Sequence, residues 1–191
     1  MSRILRMLVA LATVLLISSL GVAASAEPVD TSGCMEVFQD FLCHTQDLEW
    51  DSAAALMHPD GLDHIKEIVL SAYDVLAESG RPTDEFLSCF EGIENGQQLH
   101  AMPASLFFAS MMNTVMRIPG IREMIAASET VIIGTVAEND TLVHAVYRTN
   151  LEYEGAFITD VEVATVRRFN STWKIALSME MEQFAEMFNE F

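Results

Sequence analysis

The chain has 191 residues, 51% of them hydrophobic, with 28 Asp and Glu against 10 Lys and Arg and a formal charge of −18. Nucleic acid, which needs a basic stripe to displace its counterions, is excluded as a partner, and adhesion to an anionic membrane surface is disfavoured. The length suits one domain with a sizeable core.

At the front, Arg3 and Arg6 precede an apolar run from Met7 to Leu20, and Ala24-Ser25-Ala26 supplies small residues ahead of a cut. These are the parts of a secretory signal peptide, residues 1–26, with cleavage expected between Ala26 and Glu27. The run falls short of the ~20 residues a spanning helix needs, and no basic stop-transfer cluster follows. Residues 27–191 then form a single exported domain, periplasmic or secreted, with no membrane association once the leader is gone. Its three cysteines are Cys34, Cys43 and Cys89. Cys34 and Cys43 share or flank one helix and stand too far apart to bond, so a bridge joins Cys89 to one of them or all three stay free. No CxxC pair supports a metal or redox centre.

The helical half begins at Met35–Leu48, where Phe38, Phe41, Leu42 and Thr45 form one stripe. Asp51 heads a short second helix, which breaks at His58-Pro59-Asp60-Gly61. The next stripe, Leu62, Ile65, Val69, Ala72 and Leu76, predicts a longer helix ended by Gly80-Arg81-Pro82. A helix carrying Phe86, Leu87 and Phe90 follows, then a polar loop from Glu91 to Met102. Pro103 opens a helix to about Arg117, and Pro119-Gly120 divides it from a last short one. Phe108, Met111 and Met112 make that pair apolar on more than one side, as a deeply buried element or one covering a cavity. The methionines read as core filling, not as a Cu(I) site, and no metal or cofactor is expected.

From Glu129 to Met181 the pattern turns to period two, predicting four antiparallel strands after the helices, an α+β fold. The first, Thr130 to Ala137, reads as buried on both sides. A three-residue loop at Tyr153-Glu154-Gly155 would pair Tyr147 with Val161 and Ala145 with Val163 on an apolar core face. It would set Arg148 opposite Asp160 and Val146 opposite Glu162 outside. A two-residue loop would instead set Tyr147 against Glu162. The same choice at Phe169-Asn170-Ser171 aligns Val161 with Met179. The last strand then runs on through Trp173, Ile175, Leu177, Met179 and Met181. On this reading the core face holds no carboxylate or histidine. The sequons at Asn139 and Asn170 fall at the hairpin turns and read as turn chemistry.

Several N-terminal helices, a break at Met57-His58-Pro59-Asp60 and a meander ending in Thr172-Trp173-Lys174-Ile175 resemble the NTF2-like (SnoaL-like, cystatin-related α+β cone) superfamily, over Val37 to Glu182. The resemblance implies a curved four-stranded sheet packed on the N-terminal helices around an apolar pocket, lined here by Tyr147, Tyr153, Trp173, Met179, Phe108 and Met112. It leaves three functions open. The first is a non-catalytic binding or assembly domain for a small apolar ligand or peptide. The second is a SnoaL-like or dehydratase-type enzyme using His58 or His100 with Tyr147. The third is a homodimerisation module using the polar outer sheet face around Arg148 and Asp160. The carboxylate-free core face favours the first, with no residue assigned as catalytic.

Overall fold

The computed structural model describes residues 31–153 and 155–190; the expected leader lies outside them. The helices are α1 (Ser32–Gln46), α2 (Trp50–Leu56), α3 (Pro59–Glu78), α4 (Asp84–Leu87), α5 (Gly96–Ala101), α6 (Ala104–Val115) and α7 (Ile121–Ala127). An open antiparallel sheet follows in the order β1-β2-β3-β4, comprising β1 (Ser128–Asn139), β2 (Leu142–Tyr153), β3 (Ala156–Phe169) and β4 (Thr172–Ile175). A final helix, α8 (Met179–Glu186), ends in a 3-10 turn at Met187–Glu190.

The stripe predicted for α3 is buried at Leu62, Ile65, Val69, Ala72 and Leu76. Pro59 occupies the first turn, where a missing N–H costs nothing. His58 caps the helix by accepting the Asp60 N–H at 3.2 Å. The break before it also joins the sheet, because Met57 bridges Ile175 and the His58 N–H donates to the Ile175 carbonyl at 2.7 Å. Helix α1 buries Cys34, Phe38 and Phe41 and touches β2 and β4. Helix α6 lies against α2 and α3 and buries Phe107, Phe108 and Met111. Inside the expected polar loop 91–102 sits α5, capped by the Asn95 side chain accepting from the Gln98 N–H.

Three strand expectations are corrected. First, β4 stops at Ile175. The chain leaves the sheet where it crosses α3 so closely that a Cβ on Gly61 would lie 3.0 Å from the Leu177 Cβ. Ser178 then accepts from the Met181 N–H and caps α8, whose first turn carries Glu180 and Glu182. Second, both later hairpins have two-residue loops. Tyr153 pairs with Ala156 across Glu154-Gly155, and Phe169 with Thr172 across Asn170-Ser171. Gly155 has a φ of 80°, and Asn170 and Ser171 have φ of 46° and 69°, the pair of left-handed residues that a type I′ turn requires.

Each loop is one residue shorter than the sequence reading, so β3 is turned over. Tyr147 faces Glu162, Thr149 faces Asp160, and Arg148 faces Val161. Third, β1 is buried on neither side in full. A bulge at Ile133 breaks its register, and Val131, Ile133 and Val136 are exposed.

The inner face of the sheet is sealed where Val143 meets Val166 and Ala145 meets Ala164. Cys34 is buried, Cys43 exposed and Cys89 half-buried, all as free thiols, so no bridge reaches Cys89. Burial pushes the Cys34 thiol up to about 11, which keeps it protonated and inert.

Candidate functional site

The inner face changes character along the strands. Beyond the Val143–Val166 and Ala145–Ala164 rows comes Tyr147, whose ring tilts against Phe38 at 5.2 Å and whose hydroxyl donates to Glu162. In the next row, Asp160 lies opposite Thr149, which shares a 3.3 Å hydroxyl contact with Thr130. The inner face therefore holds two carboxylates where the sequence reading placed none.

Burial is the main force raising the Tyr147 phenol, and the charges of Glu162, Glu180 and Asp160 add to it. Burial also pushes the Glu162 carboxyl above the usual carboxylate range. The Tyr147 hydrogen bond opposes that shift, while Asp160 and Glu180 reinforce it. Held this way, the phenol keeps its proton and donates it in a hydrogen bond to the carboxyl. Tyr147 was legible as an inward residue. Glu162 was missed because its strand register was misread.

The other expected site residues are dispersed. Phe108 is buried edge-on against Trp50 at 6.5 Å, and Met112 packs half-buried on the core. Trp173 is buried, with the Arg168 guanidinium 4.7 Å above its ring. Met179 is 63% exposed in the first turn of α8, off the sheet where the sequence reading had it. Tyr153 ends β2, and its side chain lies outside the described residues. His58 is buried at the head of α3, its ring 5.0 Å from Phe169. His100 is exposed and binds Asp74 at 2.9 Å. The structure thus gives Tyr147 a carboxylate partner, Glu162, and binds each histidine elsewhere.

Among the described residues, two surface grooves stand out. One, of about 380 Å³, runs between α2, α3 and the β3–β4 turn past Met57, Leu62, Asp63, Phe169 and Lys174. Another, of about 350 Å³, is lined by His64, Glu67, Ile68, Ser71 and Glu186. Of the expected pocket residues, Tyr147, Trp173, Met179, Phe108 and Met112 border neither one.

The outer face reverses the polarity of the inner one. Val131, Val136, Val161, Val163 and Phe157 stand exposed there, Val163 at 52% and Phe157 at 71%, joined by Ile133 in the bulge. Val146, half-buried, pairs with Val163 at the centre of this stripe. Glu138 lies on the β1 side, hydrogen-bonded to His144 at 3.1 Å, and Arg167 lies on the β3 side at the same level. The expected outward pair of Arg148 and Asp160 is not formed, because the register sends Asp160 inward. These apolar side chains are interspersed with polar ones, since Arg148 stands between Val131 and Val161 and His144 lies beside Val136.

The chain matches no protein-family model, and no curated protein or solved structure is significantly similar to it.

Proposed function

We propose that this is an exported, non-catalytic assembly domain of NTF2-like architecture that pairs with a second copy of itself through the outer face of its sheet. The observation that carries the reading is the set of exposed valines Val131, Val136, Val161 and Val163 on the outer face of a chain with a net charge of −18. Helices followed by an antiparallel four-stranded meander are the α+β order that the NTF2-like reading draws on.

The rim of the outer face, with Glu138 on one side and Arg167 on the other, suits a second copy even though the whole chains carry like charge. A two-fold axis along the strands lays the β1 side of one sheet over the β3–β4 side of the other. Glu138 then approaches Arg167 of the second copy twice over, and Val146 covers Val163. Two bodies of charge −18 repel at a distance, so the pairing should tighten as salt screens them. Light scattering on the purified chain tests this. Twice the chain mass at tens of micromolar, more complete at higher salt, is expected. A single-chain mass at every salt concentration refutes the reading.

A second reading, an enzyme of the SnoaL-like or dehydratase kind, draws support from the hydrogen-bonded Tyr147–Glu162 pair. It makes Glu162, in place of His58 or His100, the proton-transfer partner of Tyr147. A small molecule retained by the native chain and lost in Glu162→Gln, measured by native mass spectrometry, would favour it. Its absence from both would favour assembly.

A further inference from the structure

The groove between α2, α3 and the β3–β4 turn lies where those elements are tied to one another. Met57 bridges Ile175, the His58 N–H donates to the Ile175 carbonyl at 2.7 Å, and Lys174 Nζ donates to the Ala55 carbonyl at 2.5 Å. The buried His58 ring stands 5.0 Å from Phe169 and braces it. These ties hold the walls in place before any ligand arrives. At about 380 Å³ the groove falls at the small end of the ~300–1,000 Å³ common among ligand sites.

Its lining is divided by chemistry. Met57 and Leu62 are buried and Phe169 is half-buried, which gives an apolar part. Lys174 and Asp63 line it too, with opposite charges. Among the described residues they form no ion pair with each other or with any other side chain. For Lys174 this isolation is unusual in a chain with 28 Asp and Glu. It is half-buried, its bond goes to a neutral carbonyl, and its cross-strand neighbour is a second cation, Arg167. The carbonyl takes one of three ammonium donors and leaves the charge uncompensated. Ala104 and Ser105, at the start of α6, add to the positive side of the groove. No side chain caps that helix and no acidic residue enters its first turn, so its N–H groups leave partial positive charge there.

A ligand that answers every part of this lining carries a carboxylate, an ammonium and an apolar group in one small body. A fatty acid would leave Asp63 unanswered, and an apolar amine would leave Lys174 so. We propose that the groove binds a free apolar α-amino acid. Its carboxylate meets Lys174 and the start of α6, its ammonium meets Asp63, and its side chain lies against Met57, Leu62 and Phe169. Charge-assisted hydrogen bonds at the two ends fix the orientation, and the apolar contact selects the side chain. Binding there does not require the pairing proposed for the outer face of the sheet.

Isothermal titration calorimetry of the native chain with L-phenylalanine tests the site. Saturable binding with a Kd of about 1 mM or tighter is expected. Glycine lacks the side chain, and N-acetyl-phenylalanine and phenylalaninamide each lack one charge; all three should bind about tenfold more weakly. Lys174→Gln should weaken phenylalanine about tenfold, and Asp63→Asn about threefold, because Asp63 is exposed. The penalties should also be specific: the amide should lose its disadvantage in Lys174→Gln, and the N-acetyl form in Asp63→Asn. Asp63 makes no bond to another described residue, so Asp63→Asn keeps the native fold even where Lys174→Gln, which loses the tie to Ala55, does not. An absence of saturable binding up to about 20 mM overturns the proposal. So does equal affinity for phenylalanine and its two blocked forms, or an Asp63→Asn chain that still rejects the N-acetyl form.

Discussion

The two faces of the sheet carry the wrong residues for a simple inside-and-outside rule. Toward the helices, β3 presents Glu162 and Asp160 alongside Ala164 and Val166, and toward solvent it presents Phe157, Val161 and Val163. A strand whose outward row is more hydrophobic than its inward row has two surfaces to bury. Folding buries one, through Val143, Ala145, Val166 and Ile175. The other stays exposed, and on the proposed reading a second copy covers it. The contrast also explains why polar groups survive inside: Tyr147 satisfies Glu162, so the carboxyl can be half-buried at tolerable cost.

The largest expected effect tests this contrast within one strand. Val166→Ala, at a fully buried site, should cost about 2–3 kcal/mol of stability by urea denaturation. Val163→Ala, three residues away on the outer face, should cost under about 0.5 kcal/mol in the same assay at a concentration low enough to keep the chain monomeric. Equal losses would mean that β3 is not turned as described.

Next comes the inner pair. Tyr147→Phe removes the donor to Glu162 and should destabilise the chain by about 1–2 kcal/mol at pH 8, where the carboxylate is charged. The loss should shrink below pH 4, where a protonated Glu162 no longer needs the donor. Glu162→Gln should do the reverse. The folded carboxyl lies above its unfolded value, chiefly through burial, so the neutral amide should stabilise the chain above that value and be neutral below it. The gain should stay below about 1 kcal/mol because the site is partly solvated. Stabilisation by Glu162→Gln that persists at pH 3 would contradict the assignment.

Much of the helical half was legible because its burial follows a single period. The α3 stripe and the cap-and-proline break at His58-Pro59 required no tertiary information. Helix α8 was hidden by chance alternation from Trp173 to Met181, although Ser178 followed by Glu180 and Glu182 is a helix start in its own right. The register of β3 was illegible for a physical reason. Its more apolar row, with Val161 and Val163, faces outward, so assigning the apolar row to the core selected the three-residue loop and the wrong register. The inner pair was lost with that choice, since Tyr147 meets Glu162 in one register and Val161 in the other.

The smallest expected effect bears on that loop. Asn170 and Ser171 both hold positive φ, which suits glycine better than serine. Ser171→Gly should raise stability by about 0.5 kcal/mol without altering the pairing of Phe169 with Thr172. A loss of stability would argue against the two-residue turn and the strand inversion that depends on it.

The claim that the outer face joins two copies is tested most directly by sedimentation equilibrium of the native chain beside Val163→Glu. Placing a charge at the centre of the apolar stripe should leave the monomer folded, because Val163 is already half exposed. It should weaken self-association at least a hundredfold. A native dimer and a folded, monomeric Val163→Glu is the predicted result. A Val163→Glu that associates as tightly as the native chain would contradict it.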